Sequence, residues 1–124
     1  MYDETIEIAG ERCVLIAADG PQIADAAAGR DLIEAALNAR ASIMVVPVGR
    51  LSDEFFRLHS GVAGEILQKA VNYRLKFAVV GDISGHVAAS DALRDFVVES
   101  NRGTNIFFVA DLGELEERLA GLRA

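Results

Sequence analysis

Three short, largely apolar runs, Ile43–Val46, Leu75–Val80 and Ile106–Val109, recur along the chain with amphipathic stretches between them. A run without polar alternation suits a strand covered on both faces, since neither face meets water. Each intervening stretch is long enough for a helix. The strands are therefore joined by crossovers, which are right-handed and set the strands parallel. Ahead of them, Thr5–Ala9 and Arg12–Ala17 alternate around Gly10-Glu11, the pattern of a hairpin. Together these segments confine the chain to the α/β class.

The helical stretches are legible in turn. Asp19-Gly20-Pro21 breaks the hairpin pattern, and Leu32, Ile33, Ala36 and Leu37 share one face of a helix over Asp31–Arg40. Ser52 caps a short helical turn reaching Leu58, with Asp53 and Glu54 in its first turn. Ser60 is expected to cap a longer helix ending near Asn72. Gly81–Ser90 reads as a polar loop, and Ser90 or Asp91 starts a helix that ends near Asn101–Gly103. Asp111 and Glu114 form a capping-box start to the last helix, with Leu112, Leu115, Leu119 and Leu122 as its inward stripe. The expected order is β-β-α-β-α-β-α-β-α over a single domain, residues 1–124. Its sheet is mixed but mostly parallel, with an N-terminal hairpin and helices packed on it.

Composition narrows the function classes. Apolar residues make up 52% and aromatics only 6%, so the core is aliphatic. A formal net charge of −7, with no basic stripe interleaved with aromatics, argues against nucleic acid and against anionic membranes as partners. Cys13 is the sole cysteine, which rules out an intrachain disulfide and a cysteine-based metal site. Lying within an apolar run, it reads as a small core residue. The start, Met1-Tyr2-Asp3-Glu4, lacks a signal-peptide pattern, and no apolar run could span a bilayer. The expectation is a cytoplasmic protein without a cofactor or bound metal.

Four segments carry a family resemblance: Ala63–Lys69 (AGEILQK), Asn72–Arg74 (NYR), Ala78–Asp82 (AVVGD) and Glu99–Gly103 (ESNRG). The chain resembles, over nearly its whole length, a bacterial family known as domain of unknown function 4180. The resemblance implies an α/β architecture and brings no activity with it. The element order is also similar to that of the STAS fold of anti-sigma-factor antagonists and anion-transporter domains. In those antagonists a phosphorylated serine followed by glycine opens one helix. Here Ser60-Gly61 matches that pair, but Leu58 stands where they usually have an aspartate.

Sites in a mostly parallel sheet form beyond the carboxyl ends of its strands. The segments placed there are Val48–Ser52, Gly81–His86 and Ala110-Asp111. The second is the richest, with Asp82, Ser84, His86 and two glycines. It could take a polar ligand, or a cation through Asp82; alternatively, Asp82 turns the chain by bonding nearby amides. At Ser60-Gly61, free amides of a helix start could face an anion; a plain cap is the simpler reading. Glu65, Gln68, Lys69 and Asn72 fall within a sector of roughly 100° on one helix, with Glu65 and Lys69 spaced as an i,i+4 pair. Tyr73 and Arg74 follow at its end. On the next helix Leu93, Phe96, Val97 and Ser100 face inward, while Arg94, Asp95, Glu99 and Arg102 face out, with Asn101 at its end. Of the adjacent Phe55 and Phe56, one is expected in the core and the other over a pocket or interface.

Catalytic signatures are thin. His59 and His86 have no metal-ligand spacing, and there is no nucleophile elbow, Walker loop or dinucleotide fingerprint. The leading expectation is a non-catalytic regulatory or binding module. It would present the Ser60 helix and the Arg94–Arg102 helix to a protein partner or a second copy, with a small polar ligand possible at the loop after the fourth strand. The alternative is a small-molecule enzyme with Asp82, His86 and Ser60 around one pocket. Geometry discriminates: if Asp82 and Ser60 do not share a cavity, that alternative loses its basis.

Overall fold

The structure, a computed structural model, describes residues 3–123. Five strands, β1 (Glu4–Ile8), β2 (Glu11–Leu15), β3 (Ile43–Pro47), β4 (Lys76–Val80) and β5 (Ile106–Val109), form one sheet in the order β1-β2-β3-β4-β5. β1 and β2 are antiparallel, with Ile6 opposite Cys13, and turn through Ala9 and Gly10, both at positive φ. From β2 onward every neighbour is parallel, as the crossover pattern predicts.

Because right-handed crossovers step always in the same direction, the intervening helices must lie on one face. These are α1 (Ala26–Asn38), α3 (Val62–Asn72) and α5 (Asp91–Arg102). The larger core joins Met44, Val46, Phe77, Val79 and Phe108 of that face to Ile33, Ile66, Leu67 and Leu93 of the three helices. The opposite face presents Cys13, Ile43, Val45, Ala78, Phe107 and Val109, and α6 (Leu112–Arg123) covers it through Leu115 and Leu119. Only those two leucines of the expected stripe are fully buried. Leu112 and Leu122, at the helix ends, remain 37% and 45% exposed, since one helix cannot cover a five-stranded face.

Local signals explain most element ends. α6 starts with the expected capping box: Glu114 N donates to Asp111 Oδ1 at 2.8 Å, and Ala110 N donates to Glu114 Oε1 at 2.9 Å. Ser90 caps α5 by accepting from Leu93 N at 3.1 Å. α1 starts at Ala26, not Asp31, with Asp25 as its cap. Ala26–Ala28 add no apolar periodicity but favour helix strongly, so pattern reading placed the start too late. At Gly29, α1 presses on α3 so closely that a Cβ would lie 2.5 Å from Ile66 Cγ1.

The helical segment after Ser60 differs from expectation. Gly61, at φ 81°, is the residue flanking α3, and Ser60 ends a 3-10 turn, Leu58–Ser60. Gly61 takes up a left-handed conformation between that turn and α3, which glycine adopts without steric cost. Gly81–Ser90 is not all loop either, since α4 (Ser84–Ala88) forms within it. No helix of the described residues is long and apolar enough to cross a membrane.

Candidate functional site

Beyond the carboxyl ends of β3 and β4 lies a cleft of about 810 Å³, walled by Asp53, Phe56, Arg57, His59, Asp82 and His86 and completed by Leu58, Ser90 and small residues. It is not the crevice of a doubly wound sheet, because the strand order never reverses. Two short helices build it instead. After Pro47 the chain makes a 3-10 turn, Val48–Arg50, and Ser52 then leads into α2 (Asp53–Phe56). Phe55 enters the core beside Phe77, with 6.3 Å between ring centroids. Phe56 is also buried, and it floors the cleft. His86 of α4 lies flat on Phe56, with centroids 4.1 Å apart and planes 15° apart. This stack ties α2 to α4 and sets an imidazole against an apolar floor.

Asp82 is fixed as an acceptor. Its Oδ1 takes the Ser84 N–H at 2.8 Å, and hydrogen bonds from Ser84 hold its carboxyl below the ordinary carboxylate range. A carboxylate made less basic in this way suits binding better than proton abstraction near neutrality. The local turn read from Gly81-Asp82 is therefore present, and Ser84, which closes it, is not among the cleft-lining residues.

Ser60 is outside the cleft lining. Its Oγ donates to the Glu54 carbonyl at 2.7 Å and accepts from Val62 N at 3.2 Å, so both roles of the hydroxyl are engaged. Gly61 N donates to Leu58 O at 3.2 Å. The structure thus brings Asp82 and His86 to one cavity and leaves Ser60 and Gly61 behind α2. Among the described residues, no three His, Cys, Asp or Glu side chains cluster as metal ligands.

The polar face of α3 is exposed and lines a shallow groove against α1 with Arg30. The i,i+4 pair Glu65–Lys69 does not close within 4 Å among the described residues. Lys69 instead sits over the Tyr73 ring at 5.2 Å, a cation–π contact. Gln68 donates to Asn72 Oδ1 at 2.9 Å. On α5, Arg94 pairs with Asp91 and Arg102 with Glu99, both in exposed i,i+3 geometry.

Asn101 belongs to the fold rather than to an outward face. Its Nδ2 donates to Phe108 O at 3.1 Å and its Oδ1 accepts from Phe108 N at 2.8 Å. β5 is the last strand of the sheet, and this amide satisfies both outward groups of Phe108 as a neighbouring strand would. Arg118 of α6 donates to the Asn101 carbonyl at 3.0 Å, holding that helix end.

Sequence reading did not single out Asp53, Arg57, His59 and Ser90 as cleft residues, because the cleft depends on α2 and α4 meeting through Phe56 and His86. Arg50 was missed as well. It is buried, and it donates to the carbonyls of Ala17 at 2.7 Å and Pro21 at 2.9 Å, which pins the loop after β2.

Strand order, register and helix placement define a mixed α/β domain in which an antiparallel hairpin leads a parallel sheet. The chain belongs to the family described as a domain of unknown function (DUF4180), whose model matches residues 8–119. That span runs from the end of β1 into α6 and includes the cleft. No curated protein and no solved structure matches the chain.

Proposed function

We propose that this protein is a non-catalytic regulatory or binding module of the bacterial cytoplasm that takes a small polar ligand in the cleft between α2 and α4. The observation that carries this reading is the cleft's construction. A buried phenylalanine floors it, and an imidazole, a guanidinium and a carboxylate with lowered basicity surround the space. An apolar floor with a few placed polar groups is the usual make-up of a small-molecule site. What speaks against the enzyme built on Ser60 is that its hydroxyl is engaged elsewhere and lies outside the cleft lining, so it does not pair there with His86 as nucleophile and base.

The test is a screen of small polar fragments by NMR, following the ring protons of His59 and His86. Fragments that occupy the cleft shift both rings together, and Phe56→Leu or His86→Ala weakens them at least several-fold. If no fragment moves the two histidines, or if hits bind the variants as well as the parent, the cleft is not the site.

A further inference from the structure

The cleft between α2 and α4 offers acceptors rather than free cations. Asp53 and Asp82 stand on its wall, and among the described residues neither has a lysine, arginine or histidine nitrogen within 4 Å. Asp82 gives its Oδ1 to the Ser84 N–H, yet a carboxylate can accept about four hydrogen bonds, so capacity remains. Arg57 is the one lysine or arginine of the lining. Its Nη1 donates to Glu54 Oε1 at 2.6 Å, so its charge is already met within the molecule.

The start of α5 borders the cleft at Ser90 and Ala92, and a helix start would by itself favour an anion. That end is closed. Ser90 Oγ accepts from Leu93 N at 3.1 Å, and Asp91 adds a negative charge in the first turn. Around the space, Asp53, Asp82 and Glu54 therefore outweigh the Arg57 guanidinium, and a formal net charge of −7 deepens the negative potential. The rest of the wall suits carbon: Leu58, Ala89 and Ala92 line it together with the Phe56–His86 stack. Aromatic faces also attract ammonium groups.

We infer that the ligand of this cleft is a small organic cation, a protonated amine on a short apolar skeleton, with Asp53 and Asp82 as its counter-ions. This assignment rests on the reading of the cleft as a ligand site; it adds the sign of the ligand's charge and the residues that recognise it. A bare metal ion would leave the apolar floor unused. Among the described residues, no third His, Cys, Asp or Glu joins the two aspartates in a ligand cluster.

Three probes of equal length test this: n-butylamine, n-butanol and n-butyrate. Each is titrated into the full chain at neutral pH while NMR follows the ring protons of His59 and His86. Butylamine, protonated at that pH, should move both rings and bind about ten-fold more tightly than the alcohol. Butyrate should bind most weakly, and added sodium chloride should weaken the amine but not the alcohol. Asp82→Asn keeps an acceptor for the Ser84 N–H, and Asp53→Asn alters an exposed side chain, so both variants should fold. Each should weaken the amine several-fold and affect the alcohol less. Butylamine that binds no better than the alcohol, or that binds both variants as well as the parent, overturns the inference. If the alcohol or butyrate then moves the two rings, the cleft remains a ligand site for another chemistry. Should none of the three move them, the inference falls, and the fragment screen alone decides whether the cleft is a site.

Discussion

Asn72-Tyr73-Arg74 closes α3 and Asn101-Arg102-Gly103 closes α5, so each places an asparagine and an arginine where a helix hands over to a strand. Their surroundings part at the sheet. β4, which follows α3, is paired on both sides, by β3 and β5. Nothing there needs a side-chain partner, and Asn72 bonds only Gln68, one turn back on its own helix. β5 is the edge, and Asn101 reaches it to satisfy Phe108. The same residue type is thus surface in one place and structure in the other, and the difference lies in strand order rather than in local sequence.

Replacing each asparagine by alanine measures that difference. Asn101→Ala removes both bonds and leaves two backbone groups unpaired at a part-buried edge, at a cost of about 2–4 kcal/mol. Asn72→Ala removes one exposed bond and should cost less than about 0.5 kcal/mol. Urea denaturation of both variants reads the gap directly. Equal losses would break the comparison.

Cys13 extends the contrast to titration, because it is fully buried under α6. Burial pushes its thiol from the ordinary value of 9.0 up to about 11. The native state therefore keeps the proton in a range where the unfolded chain loses it. The stabilisation is complete below pH 9 and falls between pH 9 and about 11. The slope attributable to this thiol is about 1.4 kcal/mol per pH unit. Cys13→Ala loses some packing at all pH values but lacks that slope. The two proteins differ only at residue 13, so the difference between their unfolding curves reports the thiol. Parallel alkaline losses would show that the thiol ionises inside the fold as readily as outside it.

Glycine offers a third matched pair. Gly29 of α1 has no room for a methyl group, whereas Gly64 of α3 meets nothing within 4 Å. Gly29→Ala should destabilise by about 1–3 kcal/mol through overpacking against Ile66. Gly64→Ala should be neutral or stabilising by up to about 1 kcal/mol. Thermal melts of the two should move in opposite directions or, at the least, differ clearly.

Much of the fold was legible because its strands are marked by residue type: Ile43–Val46 and Ile106–Val109 admit no other reading in a chain of this size. The start of α1 was not, since alanine is silent in a hydrophobic pattern. The cleft was legible only in part. Asp82 and His86 stand out in a polar stretch after a strand, but their neighbours Arg57 and His59 join them only because Phe56 and His86 stack. Asn101 looked like a surface residue because a single sequence does not say which strand lies at the edge.

Arg74 sharpens the opening comparison with the smallest effect on stability. At φ 58° a side chain crowds the backbone in a way that glycine avoids. Arg74→Gly relieves that crowding, while glycine's greater freedom in the unfolded chain offsets part of the gain. The net expectation is a stabilisation of about 0.5–1 kcal/mol, read by urea denaturation. Gly103, the corresponding residue after α5, has φ −90° and already lies in an ordinary region. Gly103→Ala should therefore change stability by less than about 0.5 kcal/mol. If Arg74→Gly is instead destabilising, the Arg74 side chain supports the fold by more than the crowding costs.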